Sequence, residues 1–162
     1  MPAGLRIDIQ GLDRLARALD SRIVTDEVEA TVREAALFAE GRVRERSWAT
    51  HDTAASARSW TSDVNGMSAS VYTPLLSAVI EEEGRRPGSK MPPPGALAGW
   101  ASRHGFPTNA GALFTLARSI ARRGRPGRFY LKAATRDLEA RLPEMLRDAA
   151  HRIRVQYESN LR

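Results

Sequence analysis

Apolar residues along this chain follow two different periods, and the places where the period changes mark its elements. Leu5, Ile7 and Ile9 alternate with Arg6, Asp8 and Gln10, the pattern of a strand with one buried face, and Gly11 ends it. Leu12, Leu15, Ala16 and Leu19 then recur at helical spacing and predict a short amphipathic helix. A longer stripe of Val28, Val32, Ala35, Ala36, Ala39 and Val43 predicts a helix to about Ser47, with Asp26 as its cap and Glu29 completing a capping box. On the opposite face, Glu29, Arg33, Glu40 and Arg44 are spaced for ion pairs three or four residues apart.

The polar run from Thr50 to Ala55 reads as a loop. Two alternating segments then flank Asn65-Gly66, a dipeptide that favours a type I′ hairpin turn. A turn centred there pairs Val64 with Met67, Ser62 with Ala69 and Trp60 with Val71 on one face, and leaves Thr61, Asp63, Ser68 and Ser70 on the other. A two-stranded hairpin is marginal alone, so the long helix is expected on its apolar face.

The stretch from Tyr72 to Trp100 organises the remainder of the chain. A short apolar run (Leu75, Leu76, Val79, Ile80) meets three glutamates and a stop at Gly84, then a rigid Pro/Gly loop, then a small helix carrying Leu97 and Trp100. Arg103 to Pro107 is a turn, and Thr108 or Asn109 can cap a helix through Leu113, Leu116, Ala117 and Ile120 to Gly124. A last stripe (Leu138, Leu142, Met145, Leu146, Ala149, Ile153, Tyr157) predicts a terminal helix from about Phe129, with a kink or restart at Pro143. The elements add up to an α+β fold. A small antiparallel sheet, made of the central Asn-Gly hairpin and the N-terminal strand, packs against a long helix, with further helices toward the C-terminus.

At 162 residues the chain can bury a core of its own, and with no repeat or linker a single domain over 1–162 is expected. It holds no cysteine, which excludes disulfides and thiolate chemistry. The formal charge is +6, and every basic residue except Lys90 and Lys132 is arginine. Arginine's planar fork grips phosphate or carboxylate at two points, which suits polyanions and charged subunit interfaces. A GC-rich coding sequence produces the same bias, so the composition alone names no partner. No apolar window reaches bilayer length and no signal peptide begins the chain, so no membrane partner is expected and the protein should stay in the cytoplasm until it assembles.

Candidate chemistry is sparse. His51 and Asp52 lie near Ser47, Ser56 and Ser59, but no strained elbow or glycine-built oxyanion hole accompanies them. His51, His104 and His151 are far apart along the chain, so no metal site is expected. Glu81, Glu82 and Glu83 are consecutive and point different ways on a helix, which suits an ion-pair cluster with Arg85 and Arg86 better than acid-base catalysis. No phosphate-cradling glycine motif is present, and neither a catalytic nor a cofactor-binding residue is assigned. The loop Arg122 to Arg128, four cations in seven residues, is the segment that fits a polyanion, although a solvated loop or an acidic protein neighbour fits it too.

In order along the chain stand Tyr72, Glu82 and Gly84, then Arg85-Arg-Pro-Gly88, Met91-Pro-Pro93, Ala96-Leu97 and Trp100. Ala117-Arg118, Ile120, Arg122-Arg123-Gly124, Tyr130-Leu131 and Ala134 come after them. This ordered set resembles the neck or tail-completion proteins of long-tailed bacteriophages, also called minor capsid or head-tail joining proteins. The chain departs from that pattern at Glu83, where an aromatic often precedes the glycine, and at Phe129, where proline is expected. The resemblance implies a non-enzymatic virion subunit, a ring expected to hold six copies, between the head connector or stopper and the tail terminator or tail tube. DNA would pass through its lumen. Glu82, Gly84, Arg85, Arg86, Pro87, Met91 and Trp100 are then the expected subunit interface, and Arg122, Arg123, Arg125 and Arg128 the contact with DNA or an acidic connector surface. The competing expectation is a free protein that binds DNA without regard to sequence.

Overall fold

The computed structural model of the protein describes residues 4–8, 22–48 and 54–160. The short helix expected at Leu12 to Leu19, most of the loop expected from Thr50 to Ala55, and with it His51 and Asp52, lie outside them. The chain divides into two compact units, Met1–Leu76 with Tyr130–Arg162 and Ser77–Phe129.

The first unit holds strand β1 (Gly4–Asp8), helix α1 (Arg22–Trp48), a one-turn helix α2 (Ala55–Ser59), strands β2 (Thr61–Asn65) and β3 (Ser68–Tyr72), and the terminal helix α6 (Tyr130–Asn160). The sheet is antiparallel in the order β1-β3-β2, and α1 packs on it, as the α+β reading requires. Every residue of the expected α1 stripe is buried, Thr31 joins it from within, and Val24 and Ser47 extend it at its two ends. Asp26 lies a turn inside α1, which starts at Arg22, so it does not cap the helix.

The hairpin keeps its expected faces but not its register. Val64 pairs with Ala69 and Ser62 with Val71, two residues from the pairing that an Asn65-Gly66 turn sets. Asn65 stays in β2, and the loop is Gly66-Met67. A type I′ turn needs positive φ at both loop residues; here Gly66 has φ 54° and Met67 does not. A slip of two residues leaves each side chain on its original face. Met67 gains a place in the core, packing with Ile153 and Tyr157 against Val24 and Val28.

Helix α6 lies antiparallel along α1, its residues Leu138, Met145 and Ala149 buried. Ala35, Ala36 and Ala39 on α1 have no exposure at all, and such small side chains let two helices approach closely. The helix is continuous across Pro143, without the expected restart. Pro143 and Glu139 are exposed, so water can serve the carbonyl that loses its amide partner. Leu138 and Met145 are buried on either side of Pro143.

Polar contacts fix the register of these layers. Asp137 on α6 accepts from Arg46 at 2.7 Å and Arg42 at 3.0 Å, and Glu27 at the other end of α1 accepts from Arg152 at 2.8 Å. Arg44 donates twice to the carbonyl of Trp60 and pairs with Glu40, which also accepts from Ser62. The hydrogen bonds to Asp137, first from Arg46 and then from Arg42, hold its carboxyl below the usual aspartate range. Ionised Asp137 is therefore favoured by folding, so its stabilisation is present at neutral pH and lost as pH falls through the lowered value. Asp137→Asn is expected to lower the melting temperature at pH 7. The gap to the unchanged protein should close as acid protonates Asp137, and thermal melts across that pH range check it.

Candidate functional site

The second unit, Ser77–Phe129, is built around a crossing of two loops. Helix α3 (Leu76–Glu83) runs into β4 (Gly84–Arg85); a 3-10 turn (Pro94–Leu97) leads into α4 (Ala98–Arg103); and α5 (Ala110–Arg123) runs into β5 (Arg125–Pro126). β4 and β5 pair antiparallel, with Gly84 opposite Pro126 and Arg85 opposite Arg125.

Local chemistry explains the helix ends. Asn109 caps α5, its side chain accepting from the Ala112 amide at 2.9 Å, and the Gly124 amide closes the last turn on Ile120. After α4, Gly105 takes φ 70° and the Phe106 amide reaches back to the Ala101 carbonyl at 2.8 Å, a Schellman stop followed by Pro107. Trp100 stacks on His104 at 4.3 Å and on Phe106 at 5.4 Å between ring centres.

Three glycines make the crossing possible. A Cβ on Gly84 would sit 2.5 Å from the Arg125 carbonyl oxygen, one on Gly124 2.5 Å from the Arg85 oxygen, and one on Gly127 2.5 Å from the Glu82 oxygen. Gly84 and Gly124 also hold φ 77° and 69°, where other residues are strained. Main-chain bonds brace the crossing: Gly88 to Ala121 at 2.8 Å, Arg128 to Glu81 at 2.9 Å and Phe129 to Glu82 at 3.2 Å. Phe129 itself is held at φ 54°, which proline's ring forbids.

The crossing joins the two groups of site residues that sequence reasoning kept apart. Arg85 and Arg86 of the expected subunit interface face one open hollow of about 520 Å³ together with Arg123 and Arg125 of the expected DNA segment; Glu83 lines it too. Arg122 and Arg128 are nearby in sequence, Arg122 at the end of α5 and Arg128 just after β5. Pro87, half-buried Met91 and Trp100 also reach the surface, whereas Glu82 is buried at 6% exposure and has little to offer a neighbouring molecule. A second groove runs along α5 between Phe114, Thr115, Arg118, Ser119, Arg122 and Arg123. Sequence reasoning missed Phe114, and placed Arg118 only as a cation at the helix end.

Charge separates between the units. Residues 77–129 carry nine basic residues against three glutamates, so the entire formal charge of +6 lies there and the rest of the chain is neutral. The arginines also differ in company. Arg42, Arg44, Arg46, Arg141, Arg152 and Arg154 all pair with carboxylates. Among the described residues, Arg86, Arg118, Arg122, Arg123, Arg125 and Arg128 have no such partner, and neither do Arg33, Arg58, Arg136 and Arg147 of the first unit. Counting charge segment by segment would have found this signal in the sequence.

The small polar residues near His51 are engaged structurally. Ser47 donates to the Arg44 carbonyl, and Ser59 donates to the Ser56 carbonyl and shares a 2.7 Å hydrogen bond with Thr73. Among the described residues, no group of three or more His, Cys, Asp or Glu side chains could hold a metal ion, and no helix is long and apolar enough to cross a membrane. Comparison with family models, curated proteins and solved structures finds no match to this chain.

Gly88 separates strain from overlap, because it holds φ 79° while a Cβ added there would meet nothing within 4 Å. Gly88→Ala is expected to cost about 1–2 kcal/mol, the usual penalty of a left-handed residue. Gly84→Ala and Gly124→Ala should cost more, since the strand pair must also open. Hydrogen exchange at the Gly88 and Arg128 amides, beside thermal melts, checks whether the loss is local to the crossing.

Proposed function

We propose that this chain is a non-enzymatic structural subunit of a phage-like head-tail junction. It forms a ring, expected to be of six copies, that joins the head connector or stopper to the tail terminator or tail tube and lets DNA pass. Assembly takes place in the cytoplasm of the bacterial host, and the finished subunit resides in the virion. The observation that carries the reading is that residues bearing the resemblance, scattered through the sequence, meet in one construction. Gly84 and Gly124 permit the crossing, Ala117 is wholly buried, and Arg85, Arg86 and Arg123 surround the hollow that results.

A surface of this kind suits assembly better than turnover. Its hollows are open, its backbone is braced, and its charge awaits a partner of opposite sign. In a closed ring each modest contact acts once per copy, so specificity can come from complementary loops without a deep pocket. The loop from Gly84 to Pro94 meets the neighbouring subunit, and Arg122 to Arg128 meets DNA or an acidic connector surface. A second reading, a free DNA-binding protein, is favoured by the arginines that lack carboxylate partners.

Light scattering on the purified protein, alone and with connector and tail-tube proteins, is expected to find a ring in at least one mixture. A persistent monomer that binds plain DNA tightly would instead establish the second reading. Replacing Arg122, Arg123, Arg125 and Arg128 together by Ser should abolish head-tail joining in an assembly assay while leaving the circular dichroism spectrum unchanged. Intact joining would remove that segment from the interface.

A further inference from the structure

The two basic hollows of residues 77–129 share a wall, because Arg123 lines both. Arg118 and Arg122 approach it along α5, and Arg125, Arg85 and Arg86 continue beyond it around the strand pair. We infer that this trough is a track for the phosphodiester backbone of DNA, held without regard to base sequence. The inference names the partner of the docking surface proposed above and rests on that reading of residues 77–129.

Spacing supports a periodic polyanion. Arg118 and Arg122 stand one turn apart, about 6 Å along the helix axis. That spans about two phosphates of a duplex strand at roughly 3.4 Å of rise each. Six guanidinium groups around two adjoining hollows repel one another; none has a carboxylate partner among the described residues, and five have no hydrogen-bond partner either. The sixth, Arg85, has only a 3.4 Å hydrogen bond to the Lys90 carbonyl. Phosphates would relieve that repulsion, and counterion release would drive the contact.

An acidic protein suits the trough less well. Protein interfaces take most of their energy from an aromatic or aliphatic anchor seated in a pocket. The hollow at the crossing has only Pro87 and Pro126 as apolar walls, apart from its glycines and arginine stems. Along α5 the apolar feature is Phe114, 49% exposed and beside Arg118, a flat ring of the kind on which sugars or unpaired bases rest. Glu83 stands in the first hollow and weakens the grip there, which suits a strand that must move on.

The test is fluorescence anisotropy of the full chain with short labelled duplex and single-stranded DNA over a range of salt. With six phosphates engaged, log K should fall against log salt with a slope of about −5 for duplex and about −4 for single strands. Arg86→Gln, Arg118→Gln and Arg122→Gln should each lower the slope by about 1 on every sequence tried. Phe114→Ala should weaken single-strand binding more than duplex binding. Unchanged slopes in the triple arginine variant, verified as folded by its melt, would overturn the inference. So would displacement of DNA by polyglutamate at lower charge concentration than by competitor DNA. Rings that form and join heads to tails without binding DNA would sink the track and spare the junction. A monomer that binds DNA through these arginines but has no part in joining would do the reverse.

Discussion

At Gly84, Gly124 and Gly127 two stretches of backbone come so close that no side chain fits between them. The rest of Ser77–Phe129 depends on that approach. The strand pair of two residues each is too short to be stable alone, so main-chain bonds from Gly88, Arg128 and Phe129 must hold it. Holding it concentrates arginines from both loops in one place, against their mutual repulsion. Backbone strain at Phe129 is a further cost of the same geometry, carried by a residue that no proline could replace. Strain and like-charge crowding are thus gathered in one spot.

The other unit solves its electrostatics internally. Its basic and acidic residues balance, and Arg42, Arg44, Arg46 and Arg152 spend their donors on Asp137, Glu27, Glu40 and the Trp60 carbonyl. Those contacts tie α1 to α6 and to the hairpin, so charge there sets register. Apolar burial supplies the adhesion: Val24, Val32, Val43 and Val71 have no exposed surface. Arg42, Arg44, Arg46 and Arg152 serve as mortar, whereas Arg86, Arg123 and Arg125 at the crossing have no carboxylate partner among the described residues. Composition, which counts both alike, cannot tell them apart.

Periodicity carried most of the fold. The α1 stripe from Val28 to Val43, the two faces of the hairpin, the Asn109 cap and the Gly124 stop all follow from short-range rules, because a helix or strand buries a face defined by its own repeat. The errors came where a local preference met a tertiary one. Asn65-Gly66 favours its own turn, but placing Met67 against Val24 and Val28 favours a loop one residue on, which shifts the pairing by two. Asp26 is a good cap, yet the valine stripe continues to Val24 and draws the helix past it. Pro143 removes one hydrogen bond, and the packing of α6 on α1 outweighs it.

The sequence by itself determined the fold class, the buried faces and both ends of α5. Each depends on residues within a turn or two of one another, where spacing alone sets who shares a face. Only the tertiary structure decided that Arg85 and Arg86 would stand beside Arg123 and Arg125, far along the chain, and that Arg42, Arg44, Arg46 and Arg152 would meet carboxylates while Arg86, Arg123 and Arg125 would not. A guanidinium looks the same in the sequence whatever faces it. Its role depends on the charges brought within a few ångströms, and here the backbone crossing at three glycines brings other arginines.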